Sequence, residues 1–415
     1  MTATYADRDA VARPAGPAQP PIITRSLLLL FVADFGSLTS FFLLLSVVPL
    51  YAASSGAGRA GAGLATAALT FSTVAGELVT PRLVARFGYR AVFGAGLLLL
   101  GPPALALTAV PGIAVIVAVS VVRGIGFAFT VVAGSAIIAG LIPPERRGEG
   151  LGLYGVGAGL PSVLALPFGV WLAGRAGYTA VFAVGAVAAL TGFAAMSAIP
   201  GRGTAGRAGG PGAAAGPEPE RDGAPGHGHG VLAGLRTPAL VRPGITFAVT
   251  AVAAGAAITF VPLALVRAPG ILAPAALLAQ PAAATVTRWL AGRHGDRHGP
   301  ARLLVPAVAA TVLGILGVAV CLLVCPPAVI AAMALFGAGF GAEQNSTQTL
   351  MYRRAPVGGY GTVSAMWNVA YDAGLGLGGA GFGVLAAHGS YPVAFGLTAT
   401  LMLIALLPAW RDRAG

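Results

Sequence analysis

The sequence predicts an all-α polytopic membrane protein whose twelve transmembrane helices form two pseudo-symmetric six-helix bundles. Three observations carry that prediction: composition, the spacing of apolar runs, and an internal repeat. Of 415 residues, 56% are hydrophobic and only 9% charged, with a mean hydropathy of +0.84; a soluble chain carries about 25% charged residues. Gly (62) and Pro (31) are abundant but sit inside apolar runs, where small residues let helices approach and proline is tolerated. All 25 basic residues are arginine, which excludes lysine Schiff-base chemistry and suggests a GC-rich genome.

Apolar windows of about 20 residues mark the first six spans near 26–50, 61–81, 91–110, 112–142, 149–173 and 178–199. The other six lie near 243–266, 270–291, 302–324, 326–351, 358–387 and 391–410. Residues 1–25 are polar and Pro/Ala-rich, without a cleavable signal, and read as a cytoplasmic tail. Residues 201–240 are too polar and too rich in Gly and Pro to pack, and read as a flexible cytoplasmic linker. The domains expected are thus a bundle over 26–200, the linker, a bundle over 241–410 and a tail at 411–415. His227 and His229 in the linker lack carboxylate or thiol partners, and Cys321 and Cys325 share one apolar helix. Neither pair predicts a metal site or a disulfide.

Arginine placement tests the number of spans. With the N-terminus in the cytoplasm, 21 arginines fall inside, Arg59, Arg175 and Arg267 fall outside, and Arg123 lies within the membrane. This is the positive-inside rule, and one helix more or fewer would scramble it. The net charge of +12 therefore follows membrane sidedness and does not point to nucleic acid. The expected location is a bacterial plasma membrane, as a monomer in the lipid bilayer with both termini cytoplasmic.

The halves repeat. Arg86, Gly88 and Arg90 after the second span align with Arg293, Gly295 and Arg297 after the eighth, 207 positions on. Gly124-Ile-Gly-Phe127 aligns with Gly337-Ala-Gly-Phe340, and Tyr178 and Phe182 with Tyr391 and Phe395, each 213 positions on. Two related six-helix halves joined by a linker are the signature of parallel repeats.

At these residues the chain resembles the major facilitator superfamily (MFS), over residues 22–410, and within it the drug:proton antiporters. The family's loop between helices 2 and 3 reads G-x-L-A-D-R-x-G-R-R. Leu83, Arg86, Gly88 and Arg90 match it, while Pro81, Ala85 and Tyr89 depart. The second copy keeps Leu290, Ala291, Arg293, Gly295 and Arg297, with Gly292 where the aspartate would stand. Arg123-Gly124-x-Gly126 is similar to the antiporters' helix-4 R-x-x-x-G element, and Pro49 to part of their helix-1 ending. Gly155, Gly157, Gly159 and Pro161 resemble the helix-5 motif without its adjacent Gly-Pro pair. The resemblance implies alternating access about a cavity lined by helices 1, 4, 7 and 10. It also implies gating loops at Arg82, Arg86, Gly88, Arg90, Arg293, Gly295 and Arg297. Glu77, one turn above Pro81 and near Arg82 and Arg86, reads as a structural latch among them, with a part in transport as the alternative.

The candidate chemistry lies in ionisable groups at membrane depth. A guanidinium near mid-bilayer costs about 2.5–3.5 kcal/mol on insertion scales, so Arg123 is expected to face a wet cavity or a counter-charge. Asp34, Glu77, Glu343 and Asp372 are the acids within spans. Helices 1 and 4 share the implied cavity, which makes Asp34 the candidate proton carrier and Arg123 its counter-charge; a static ion pair between the helices is the alternative. Asp372 is a further proton-coupling candidate. Glu343, Gln344 and Asn345, inside a six-residue polar run, and Trp367, Asn368, Tyr371 and Phe127 are candidate substrate contacts, against a reading in which they only pack helices.

No Gly-Lys-Ser/Thr phosphate loop is present, which argues against an ATP-driven pump and against an enzyme. The expected function is proton-coupled efflux of a small apolar or cationic molecule such as a drug, antibiotic or secondary metabolite. The proton gradient supplies the energy and no cofactor is implied. The alternatives are a carrier for a sugar, amino acid or metallophore-like solute, and a non-transporting receptor on the same fold.

Overall fold

The computed structural model describes residues 24–110, 112–141, 147–198, 234–355 and 360–414, which are helical nearly throughout and contain no strand. The expected N-terminal tail up to residue 23, Arg146, and the linker up to residue 233 with His227 and His229 lie outside the described residues.

In the first half, α1 is Arg25–Ala52, α2 Gly58–Phe87, α3 Tyr89–Leu100 and α4 Ile113–Leu141. One helical run, Arg147–Ser197, holds α5 and α6, divided at Gly177, whose φ of 82° only glycine adopts readily; α5 is 147–176 and α6 is 178–197. In the second half, α7 is Pro238–Ala264, α8 Leu272–His298, α9 Ala301–Val324, α10 Val329–Arg354 and α11 Tyr360–His388. Last, α12 is Tyr391–Met402, continued through a 3-10 turn into Leu406–Ala414. Nine stretches among the described residues are long and apolar enough to cross a membrane. Two of them, Arg25–Phe87 and Gly159–Ser197, each hold two helices. The remaining helix is α8, whose second half carries Arg288, Arg293 and Arg297. Twelve spans result, as the sequence predicts.

Local chemistry sets several boundaries. Thr24 caps α1 by accepting from the Leu27 N–H at 3.2 Å. Gly101-Pro102-Pro103 breaks α3, because two prolines in succession offer no N–H to the carbonyls behind them. The chain then resumes only as a 3-10 turn, Pro102–Leu105.

Within the first half α1 packs on the α5–α6 run, and α2 and α3 pack on α4. In the second half α8 and α9 pack on α10, and α7 on α11. Between the halves, α2 lies along α11, and α8 along the α5–α6 run. One apolar core joins both halves, from Phe41 and Phe127 through Phe260, Phe336 and Phe382. Outward-facing apolar side chains such as Val187, Leu323 and Ile404 are exposed on the helices, as a lipid-facing surface requires.

The internal repeat extends to single hydrogen bonds. Ser37 of α1 donates to Thr130 of α4 at 2.8 Å, and Thr250 of α7 donates to Glu343 of α10 at 2.8 Å. Both members of the second pair stand 213 positions after those of the first.

For α2 and α8 the structure corrects the alignment. The helix α2 ends at Gly88 (φ 82°), whose N–H bonds the Val84 carbonyl. The helix α8 runs one turn beyond Gly295 and ends at Gly299 (φ 87°), whose N–H bonds the Gly295 carbonyl. Gly124 faces the Leu69 carbonyl as Gly337 faces that of Gln280. All three correspondences give an offset of 211, not 207. Gly295 is therefore an interior residue of α8, Arg86 matches Arg297, and Asp296 stands opposite Ala85. Two arginine-glycine spacings one turn apart in Arg293-His-Gly-Asp-Arg-His-Gly299 made the wrong register look right.

Candidate functional site

The α1–α4 wall is fixed by small residues and paired rings. Phe41 stacks on Phe127 with centroids 3.5 Å apart, Ser37 meets Thr130, and the Asp34 carboxylate lies against Gly134. Arg123 is eleven residues from Gly134, about 16 Å of helix rise. The expected pairing of Arg123 with Asp34 is therefore not the arrangement found. Arg123, 2% exposed, donates instead to the Leu100 carbonyl and, at 3.0 Å, to that of Ser40. Leu100 is the last residue of α3; the N–H of Ala104, its would-be helical donor, bonds Gly101 in the 3-10 turn, and Pro103 has no N–H to give. A cation at a helix C-terminus is favourable on dipole grounds as well. Arg123 thus meets its mid-membrane cost by a third means: it caps a broken helix. Phe127, a candidate substrate contact, is buried against Phe41.

In the second half a cluster of rings joins α7, α10 and α11. Phe247 stacks on Trp367 at 4.4 Å and on Tyr371 at 5.7 Å, and Phe340 lies 5.8 Å from Phe247. The Trp367 indole N–H donates to Thr347 at 3.3 Å. Glu343 is fully buried; its Oε1 accepts from Thr250, and its Oε2 has no hydrogen-bond partner among the described residues. Asn345 faces Gly292 on α8. Gln344 and Asn368 are half-buried on α10 and α11. Trp367, Tyr371 and Glu343 are thus brought together, while Asn345 turns toward α8. Sequence reasoning missed Phe247 and Thr250, which lie one turn apart on α7; polar threonines recurring in an apolar helix were the available signal.

The loop arginines take separate tasks. Arg90 donates to the Met196 and Ser197 carbonyls at 3.2 and 3.1 Å, capping the end of α6. Arg86 lies 5.3 Å from the Phe87 ring and Arg293 3.9 Å from that of Trp289; Arg82 and Arg297 are exposed. Glu77 does not serve these arginines. It lies on α2, buried at the seam with α11 and within electrostatic range of Asp372 in the other half.

Arg59, unassigned by sequence, closes the other end of that seam. It donates to the Ala386 and Gly389 carbonyls of the α11 end at 2.5 and 2.8 Å. Its guanidinium lies 4.5 Å from the Tyr391 ring. Below it Gly63 abuts Gly379 and Thr66 meets Thr259 at 2.9 Å.

Known proteins place this architecture. Solved structures share it at TM-scores above 0.7 and low identity. The nucleoside transporter NupG is 11% identical, with TM-score 0.74, covering 94% of this chain and 99% of its own. A D-xylose-proton symporter is 15% identical, with TM-score 0.72 and coverage of 94% and 97%. A bacterial homolog of the human lysosomal transporter Spinster, inward-facing and occupied, is 15% identical, with TM-score 0.71 and coverage of 95% and 98%. No curated protein matches the chain by sequence. The family model of the Major Facilitator Superfamily matches residues 30–379. With that match across the twelve-helix, two-half architecture, the chain belongs to the Major Facilitator Superfamily and is a membrane transporter of small molecules, not an enzyme.

Proposed function

We propose that the protein is a proton-coupled exporter of small apolar or cationic molecules with an aromatic face. The observation that carries this reading is Glu343. Its carboxyl lies one turn from Phe340, and its partner Thr250 lies one turn from Phe247, so an unpaired acid oxygen adjoins stacked rings. Aromatic faces and a desolvated carboxyl together recognise an organic cation. Asp34 is the proton carrier on α1, Asp372 a second on α11, and Arg123 a fixed charge that holds the α1–α3–α4 wall. The arginine-rich ends of the helices face the cytoplasm, so Arg59 closes the outer end in this conformation. One proton moving inward through a 100 mV potential supplies about 2.3 kcal/mol.

Energised everted vesicles test this with ethidium as probe. The wild type accumulates the dye and collapses accumulation when the pH gradient is dissipated; Asp34→Asn loses at least tenfold of the rate. Unchanged transport by Asp34→Asn removes that residue as carrier. A second reading is uptake of a polar solute, which the nucleoside transporter and the D-xylose-proton symporter favour by likeness of fold. Right-side-out vesicles offered uridine or D-xylose distinguish it by accumulation under an inward proton gradient. A receptor on this fold would give counterflow in neither arrangement.

A further inference from the structure

The seam between α2 and α11 contains an acid, Glu77, that the transport reading does not use, opposite one, Asp372, that it does. Most of it is neutral and close-packed: Gly63 on Gly379, Thr66 beside Gly379, Thr70 and Phe71 against Gly376. Near its other end it brings two acids together, one from each half. Glu77 is 9% exposed and Asp372 4% exposed, and each lies within the other half's electrostatic reach. Glu77 Oε2 is buried without a hydrogen-bond partner among the described residues.

Among the described residues, the groups facing the pair bring no neutralising charge to either carboxyl. On α2 the neighbours are Thr73 and Thr80, whose hydroxyls are committed to the backbone carbonyls of Leu69, Gly124 and Gly76. The helix α4 presents Ala128 and Ile125 to Gly76. On α11 the adjoining titratable group is Tyr371, and Arg288 of α8 acts on Tyr371. Two carboxylates within electrostatic range in an apolar seam cannot both be charged at low cost, so such a pair retains a proton.

We propose that Glu77 and Asp372 hold one proton between them in this conformation, and that its release parts α2 from α11. The acid pair is then a proton-binding site formed only when the halves meet. Release breaks the O–H bond of whichever acid carries the proton, passes H⁺ to water and leaves two carboxylates that repel across the seam. Rebinding one proton allows closure. This rests on the proton-coupled reading, adding the place where protonation acts on the contact between halves.

Hydrogen exchange of the full chain in lipid nanodiscs, without substrate or gradient, tests it. Rates for α2 and α11 peptides are corrected for intrinsic pH dependence. In the wild type, protection at the seam falls at least tenfold as pH rises, while peptides of α9 stay constant. The Glu77→Gln/Asp372→Asn double variant, neutral and of the same shape, keeps its protection at every pH. Wild-type protection that does not change with pH overturns the proposal, as does a double variant that opens like the wild type. A response set by Na⁺ against choline at fixed pH also overturns it, in favour of a metal cation. Loss of proton dependence of ethidium transport with an intact seam response would sink the transport reading alone, so the two failures are separable.

Discussion

The two halves of this transporter repeat a hydrogen bond and a glycine crossing at equivalent positions, yet their charges do not correspond. Ser37–Thr130 in the first half becomes Thr250–Glu343 in the second. At the position equivalent to Arg123 the second half has Phe336, and at that of Asp34 it has Phe247. The shared scaffold is made of small residues at crossings, such as Gly124 on Leu69 and Gly337 on Gln280. The chemistry is laid on it asymmetrically, with a capped arginine on one side and an acid among rings on the other. A duplicated bundle keeps its backbone packing under constraint because close contacts tolerate no extra atom. Its polar positions are free to diverge wherever a partner can be found.

Exchanging residues between halves breaks or sharpens that comparison. The largest effect is expected from Arg123→Phe, which installs the second half's residue. It leaves the Leu100 carbonyl at the end of α3 without its donor, at about 1–3 kcal/mol, and removes a second bond to the mid-helix Ser40 carbonyl. Thermal melts in detergent should show a strongly destabilised protein; a melt within two degrees of wild type would mean that the cap is not what retains this arginine.

Next is Gly124→Ala beside Gly337→Ala. Each new Cβ would meet a facing carbonyl oxygen at 2.1 Å, and overpacking costs about 1–3 kcal/mol. The two losses should be equal within error, and a clear inequality would refute equivalence of the crossings.

Glu343→Thr imports the first half's residue. Removing a buried acid oxygen that lacks a partner should leave stability unchanged or raise it by about 1 kcal/mol, while ethidium transport falls at least tenfold. A parallel loss of both would make Glu343 a structural residue. Smallest is Ser37→Ala, a neutral pair worth about 0.5–1.5 kcal/mol. Its melt should shift less than that of Thr250→Val, which strips an acid of its remaining donor.

These swaps also show how far the sequence could be read. Twelve spans were legible because lipid demands about 20 apolar residues per crossing, and arginines outside the spans obey sidedness. Asp34, Glu343 and Asp372 were legible as buried acids because charge is rare at that depth. Their partners were not. Arg123's role depends on a helix break 23 residues earlier, and the Leu100 carbonyl left over where Ala104 turns its N–H to Gly101 has no signature at position 123. The register of α8 failed because a repeat of arginine and glycine fits at two settings one helical turn apart. Only the backbone at Gly299 distinguishes them. Glu77 was read against its sequence neighbours Arg82 and Arg86, whereas its true neighbour is 295 residues away.

The glycines of α11 carry a last consequence. Gly374 and Gly378 rest on the α7 backbone, and Gly376, Gly379 and Gly383 on α2, so the helix is smooth on two sides. Surfaces without interlocking knobs have no rotamers to unlock when they slide, and α11 can serve as the axle on which one bundle rolls past the other. The same smoothness weakens the helix alone, since each glycine costs about 1 kcal/mol of helix propensity. The bearing holds its shape only while both flanking helices clasp it, which ties the folding of each half to the assembly of the whole.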